Sequence, residues 1–276
     1  VKAYPELYFA KLVVLGEGDS EEILLPKFFE CCGNNIDISG ISVVPLGGRH
    51  VNHFWRLLND LEIPYITLLD LDKERYGGGW GRIKYVLKQL MNNGYSKEKL
   101  LNTTKGVLSD EQFENMNNWE IDDKVMAGWI KRLEKYNVFF SAPLDIDFLM
   151  LENFCEEYKK ILVGSEGPKL MITDQNGGKK QTNVIDIEKM SNKPQEYNER
   201  IKQDLKYTLK KEGGDGSTYS EEQKRLMIWY NYFFLNRGKP STHILALSQM
   251  DESKLEHKLP SVIDRLISIA EKLLNE

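Results

Sequence analysis

The chain of 276 residues is 41% hydrophobic and 29% charged, which suits one large α/β domain with an insertion or two small domains. A formal net charge of −5 argues against a protein that coats nucleic acid through bulk positive charge, though not against a site built from clustered carboxylates. No apolar stretch approaches the roughly 18–20 residues of a bilayer span, no secretory leader opens the chain, and Cys31, Cys32 and Cys155 are too few for a disulfide framework and lack C-x-x-C spacing. The expectation is a cytoplasmic protein with buried, reduced cysteines and no membrane attachment.

The first residue is Val1, not Met, and the opening text reads as mid-protein, so an upstream domain is expected. No G-x-x-x-x-G-K-[ST] occurs, and Gly177-Gly178-Lys179-Lys180 reads as a basic turn, so ATP is not expected to bind this piece. Lys11 to Leu15 is a short β-branched run and predicts a buried strand. Gly16 to Gly18 break it, and Asp19 with Glu22 three residues on predicts a helix start with a capping box. Ile41 to Leu46 predicts a second strand, Val51 to Leu61 a second helix, and Tyr65 to Leu69 a third strand. The unbroken apolar strands, joined by helical crossovers, predict a parallel sheet covered on both faces.

From Gly81 to about Tyr136 the pattern is helical and polar; Asn137 to Ala142 predicts a fourth strand and Ile146 to Lys160 a helix. The composition then changes, with glycine turns, a Lys/Glu-rich stretch and an aromatic helix from Leu226 to Leu235. Pro240 to Ser248, with His243 to Leu247 as a strand or buried segment, and a helix from about Leu259 to Leu274 are expected to return to the core. The division expected is a catalytic core over 1–163, a mostly helical insertion over 164–237, and a return to the core over 238–276.

In an open parallel sheet, functional groups gather beyond the carboxyl ends of the strands. That rule selects Glu17 after the first strand, Asp70 and Asp72 after the third, and Asp145 and Asp147 after the fourth. In Asp70-Leu71-Asp72 the apolar middle residue predicts two acids aimed one way while Leu71 turns inward. Each acid alone has a plain alternative, as a loop or helix-capping carboxylate. Together at one crevice they would repel one another and bind protons more tightly, and divalent cations, which prefer oxygen ligands, would relieve that repulsion. The basic set Arg200, Lys202, Lys206, Lys210 and Lys211 reads as a solvated helix face or a nucleic-acid backbone contact, and the aromatics Trp229 to Phe234 as packing.

The pattern L-G-E-G-D-S-E-E at 15–22, followed by L-L-D-L-D at 68–72, resembles the Toprim signature of topoisomerases, primases and several nucleases. The wider text is most similar to the overcoming lysogenization defect (OLD) family of nucleases: Pro5 to Ala10 resembles the join after their ATPase domain, and Glu21, Gly47-Gly48, the later D-x-D and Lys239-Pro240 also fit. The resemblance implies an α/β fold, with a Toprim-like parallel sheet flanked by helices and a mostly helical insertion. It implies two Mg²⁺ or Mn²⁺ ions, one held by Glu17, Glu21 and Asp70 and the other by Asp145 and Asp147, with Asp72 able to serve either. Glu21 has the plain alternative of an exposed first-turn acid favoured by the helix dipole. The family often carries D-x-E where this chain has Asp145-Ile146-Asp147, and an apolar residue at Gly16, a departure expected to affect only local packing. Glu17 and Lys239 are implied in catalysis, DNA as substrate, a homo-oligomer, an upstream ATPase domain that gates cutting, and a role in defence against phage. The alternatives are another Toprim enzyme, primase-like or a ribonuclease, and a non-catalytic scaffold that binds nucleic acid.

Overall fold

The computed structural model describes residues 4–173, 176–188 and 195–275; Val1 lies outside them. Contacts divide the chain into two compact units. The first comprises Val1–Lys73, Gly77–Leu149 and Glu252–Glu276, and the second Glu74–Tyr76 and Met150–Asp251.

The first unit is built on four parallel strands, β1 (Leu12–Gly16), β2 (Ile41–Pro45), β3 (Tyr65–Asp70) and β4 (Val138–Ser141), in the order β2-β1-β3-β4. Every residue of β1 is buried, as unbroken apolar sequence requires of a strand covered on both faces. Helix α1 (Asp19–Cys31) joins β1 to β2, and α2 (Asn52–Asp60) joins β2 to β3. The chain thus steps from β1 to one neighbour and returns to place β3 on the other side. Connections diverge between β1 and β3, and such a switch point opens a crevice at the strands' carboxyl ends.

The segment between β3 and β4 is mainly helical, as its pattern predicts, but it is amphipathic rather than polar throughout. In α3 (Trp80–Asn92), Ile83, Val86, Leu87 and Leu90 are buried at helical spacing, and Trp80, Trp119 and Trp129 meet edge to face. The helix Ser261–Asn275 completes the unit by burying Val262, Ile263, Leu266, Ile267 and Ala270.

The second unit is mostly helical, with helices Gln195–Leu209, Glu221–Tyr230 and Lys239–Leu247. It also contains an antiparallel hairpin, Lys169–Thr173 with Lys179–Asn183, around the expected Gly177-Gly178 turn. The second hairpin strand, K-K-Q-T-N, has no apolar alternation, so periodicity carried no sign of it. The aromatic helix becomes a π-helix over Asn231–Arg237. There the buried Asn231 side-chain amide donates to Asp204 Oδ1 at 2.9 Å and to the Asp204 carbonyl at 2.8 Å. Trp229, Tyr230, Phe233 and Phe234 are buried, in line with packing, and Tyr158 Oη lies 2.6 Å from Nδ1 of buried His243.

Two expectations are corrected here. Residues 239–247 form a helix instead of a strand: Gly238, at φ 110°, and Pro240 in the first turn start it, and Thr242, His243 and Ala246 are its buried face. They also belong to the second unit, which runs over 150–251 and is wider than the 164–237 insertion; the return to the first unit starts at Glu252. The tripeptide Glu74–Tyr76 joins this second unit as well. The Glu74 carboxylate accepts from the N–H groups of Gly216 at 2.6 Å and Thr218 at 2.9 Å, and Arg75 donates to the Thr208 carbonyl and the Tyr230 hydroxyl. Cys31, Cys32 and Cys155 form no disulfide, and among the described residues no helix is long and apolar enough to cross a membrane.

Candidate functional site

At the end of β1 the chain turns through Glu17 and Gly18 into α1. The helix starts one residue earlier than the predicted capping box. Gly18 is the N-cap, and the partner is Glu21, whose Oε2 accepts the Gly18 N–H at 2.9 Å. Glu21 is therefore not an exposed first-turn acid; it is only 2% exposed. Gly16 explains how it fits: a Cβ at position 16 would collide with Glu21 Cβ and stand 2.7 Å from its Cγ. The glycine expected to matter only for local packing is the space that the Glu21 side chain occupies.

Across the switch point, Glu17 Oε1 accepts the backbone N–H of Asp70 at 3.2 Å, tying the end of β1 to the end of β3. Asp70 lies opposite Ser141 in the β3–β4 register, and the Ser141 hydroxyl reaches Asp70 Oδ1 at 3.0 Å, with the Leu69 carbonyl at 3.2 Å as its other acceptor. Leu71 is buried, as D-x-D predicts, while Asp72 takes a left-handed backbone at φ 52°. The glycine run after it is a close-packed turn. A Cβ on Gly78 would meet the Asp72 carbonyl oxygen and lie 2.7 Å from its carbon, and the Gly79 N–H donates to Leu71 O at 2.7 Å.

Arg82, in the first turn of α3, enters the same crevice. Its Nη1 donates to Glu17 Oε1 at 2.8 Å, and its Nη2 to Glu17 Oε2 at 3.3 Å and to Asp72 Oδ2. Asp145 caps the helix Ile146–Lys160, accepting the Phe148 N–H at 2.9 Å through Oδ1, and Asp147 follows in the first turn; both are buried.

Electrostatics tie these acids into one cluster. Burial, opposed in part by the Gly18 hydrogen bond and reinforced by Asp147 and Glu17, pushes the Glu21 carboxyl up to about 8. Desolvation raises Asp70 well above the carboxylate range, and Glu21, Glu17, Asp145 and Asp72 add to the rise. Desolvation also raises Glu17, with Arg82 opposing and Asp72 reinforcing. Among the described residues, no group of three or more His, Cys, Asp or Glu side chains stands in a metal-ligating arrangement. Three of the acids have donors of their own: Gly18 on Glu21, Asp70 N–H and Arg82 on Glu17, and Ser141 on Asp70. The donor set, all carboxylate oxygen, nevertheless fits a hard divalent cation.

The profile of the overcoming lysogenization defect protein-like TOPRIM domain matches residues 8–72, from before β1 through the D-x-D. Residues 8–72 are thus similar to an OLD-like Toprim domain. Endonuclease GajA of Bacillus cereus (strain VD045) is 35% identical over 80 residues, a match that spans 29% of this chain but only 14% of GajA. Two structures of the C-terminal region of the Xanthomonas campestris pv. campestris OLD protein align along nearly the whole chain. The one phased with iodine covers 97% of each chain at 17% identity and TM-score 0.51; the one phased with platinum covers 98% of this chain and 96% of that one, at 19% identity and TM-score 0.50. At those identities the likeness concerns the fold.

Glu17, Glu21, Asp70 and Asp72 fall in the matched segment, and Asp145 and Asp147 fall outside it in the same compact unit. Lys239 begins the helix Lys239–Leu247 and belongs to the second unit. Sequence reasoning missed Arg82 and Ser141. A serine at the end of β4 carries a usable signal only once the β3–β4 register sets it opposite Asp70. Arg82 had no signal, being one basic residue in a helix whose apolar periodicity is complete without it.

Proposed function

We propose that this chain is a nuclease that hydrolyses phosphodiester bonds of DNA with two divalent cations, Mg²⁺ or Mn²⁺. The observation that carries the reading is the cluster of carboxylates at the β1–β3 switch point, where burial and mutual repulsion raise Glu17, Glu21 and Asp70. A buried set of acids that destabilises itself is expected where a cation belongs. The matches to an OLD-like Toprim profile and to endonuclease GajA support the same reading.

Glu17, Glu21 and Asp70 would hold one ion, Asp145 and Asp147 the other, with Asp72 serving either. Divalent cations held there would supply Lewis acidity and lower the pKa of a bound water. The chain's own groups do the orienting. The Gly18 N–H fixes Glu21, the Asp70 N–H fixes Glu17, and the Ser141 hydroxyl fixes Asp70. Lys239 would neutralise charge that builds on phosphate oxygens as the bond breaks, an interaction that strengthens toward the transition state. An upstream ATPase domain that gates cutting, a homo-oligomeric assembly, a cytoplasmic location and a role in defence against phage are part of the same proposal.

The test is incubation of supercoiled plasmid with the purified chain in Mg²⁺, Mn²⁺ or EDTA. Nicking or linearisation is expected with metal and none with EDTA. Glu17→Ala and Asp70→Ala should each abolish cutting while thermal unfolding stays cooperative. Full cutting by both variants would refute the assignment; a folded wild type that binds DNA without cutting it would favour the scaffold.

A further inference from the structure

Arg82 is a cation set directly on the acid cluster, whereas Lys73 reaches Asp123 at 3.1 Å and Lys84 reaches Glu114 at 2.9 Å. The Arg82 side chain is 7% exposed and bridges acids from both sides of the switch point, Glu17 after β1 and Asp72 after β3. An arginine buried for structure alone ordinarily uses its whole fork of donors. Here the Nε–H is buried with no acceptor among the described residues. The guanidinium is held by charge rather than by a complete hydrogen-bond network.

Its acceptors are also the oxygens a metal would need. A carboxylate oxygen has about two acceptor sites. On Glu17, Oε1 already takes the Asp70 N–H and Arg82 Nη1, and Oε2 takes Arg82 Nη2. A cation that binds Glu17 through both oxygens must displace a donor from Oε1, and of the two there the Asp70 N–H is fixed by the β3 backbone while Arg82 Nη1 is on a side chain that can swing away.

We infer that Arg82 is the resident counter-ion of the metal-free site, holding Glu17 and Asp72 in place and yielding Glu17 to the first divalent cation. Binding is then an exchange of a guanidinium for a metal. The inference rests on the metal-dependent reading above and adds to it a positioning residue that competes with the ion. Its signature is a sign: a side chain that merely props the fold weakens metal binding when removed, whereas a competing counter-ion strengthens it, because the cluster becomes more negative.

The experiment is calorimetric titration of the full chain with MnCl₂, without DNA, for wild type, Arg82→Gln and Arg82→Lys, together with melting in EDTA. Arg82→Gln should bind the first Mn²⁺ about tenfold tighter or more, melt lower in EDTA, and gain more from Mn²⁺. Arg82→Lys should fall between, since an ammonium keeps the charge but loses the fork. Unchanged or weaker Mn²⁺ binding by a folded Arg82→Gln overturns the inference and leaves the nuclease reading intact. Should Arg82→Gln not fold, wild-type affinity in Arg82→Lys overturns it instead. Absence of Mn²⁺ binding by wild type removes the metal reading and this inference together.

Discussion

Replacing Glu21 by Gln tests the electrostatics of the cluster directly. Glu21 is 2% exposed and its carboxyl is pushed up to about 8 in the fold, against an ordinary value of 4.5. A carboxyl raised on folding binds more protons folded than unfolded, so stability is lost as pH rises from the unfolded value to the folded one. The window is therefore from 4.5 to about 8, and the loss is complete above it. At about 1.36 kcal/mol per pKa unit, the full penalty at alkaline pH is on the order of 5 kcal/mol. Gln stands in for the neutral carboxyl and removes it; the Gly18 hydrogen bond is already included in the folded value, so the gain at pH 8 is roughly 4 kcal/mol. At about 2–4 °C per kcal/mol, Glu21→Gln should melt roughly 8–16 °C above wild type at pH 8 in EDTA and show little or no gain near pH 5. With saturating Mn²⁺ the order should narrow or reverse, because wild type gains a ligand interaction that Gln lacks. Calorimetric melts across that pH range, with EDTA and with Mn²⁺, give the answer. A variant that tracks wild type at every pH, or melts below it at pH 8 in EDTA, would show that Glu21 carries no such penalty.

Gly16→Ala forces the Glu21 side chain out of its place, so it should lower stability by about 1–3 kcal/mol, the usual cost of overpacking, and reduce the Mn²⁺-induced rise in melting temperature; a rise equal to that of wild type would show that Glu21 is not needed for the ion. Asp145→Asn with Asp147→Asn keeps a helix-capping side chain at 145 but removes two charges, so the fold should persist while the Mn²⁺-induced rise shrinks, and an unchanged rise takes both residues out of the site. Lys239→Ala should slow single-turnover cleavage by roughly 10²-fold while the metal-induced rise in melting temperature stays; a rate within about threefold of wild type, a small fraction of the loss expected of such a donor, makes Lys239 a bystander.

Much of the first unit was legible because its signals are local. The β-branched runs at Leu12, Ile41 and Tyr65 are bounded by glycine or proline and separated by amphipathic helices, and each became a strand within a residue or two of its predicted limits. The acids were legible through one rule of topology, that the carboxyl ends of parallel strands share an edge. The second unit was harder for opposite reasons. Its hairpin strand Lys179–Asn183 is exposed or half-buried along its length, so it has no inward face to leave a period. The segment Lys239–Leu247 is apolar enough to suggest a strand, and only Gly238 and Pro240 signal the helix that forms. Arg82 and the room at Gly16 were out of reach, because each acquires its meaning from a partner far away in the sequence or on the next turn: Arg82 from Glu17 and Asp72, Gly16 from the stem of Glu21.

Those two residues also change how the cluster should be understood. A set of convergent acids needs neutralising, and the fold supplies two means within one crevice. Glu21 and Asp70, raised by burial and by their neighbours, take up protons. Glu17 and Asp72 share a guanidinium. A metal must replace both kinds of counter-charge, so its binding should release protons as well as free Arg82. Affinity is then expected to climb with pH through about 8, where Glu21 has lost half its protons, and to flatten only once both Glu21 and Asp70 are ionised. The same accounting says why Gly16 matters to chemistry it never touches. Without the space beside β1, Glu21 could not be buried, and a carboxyl left in water would hold neither its proton nor a metal with the same strength.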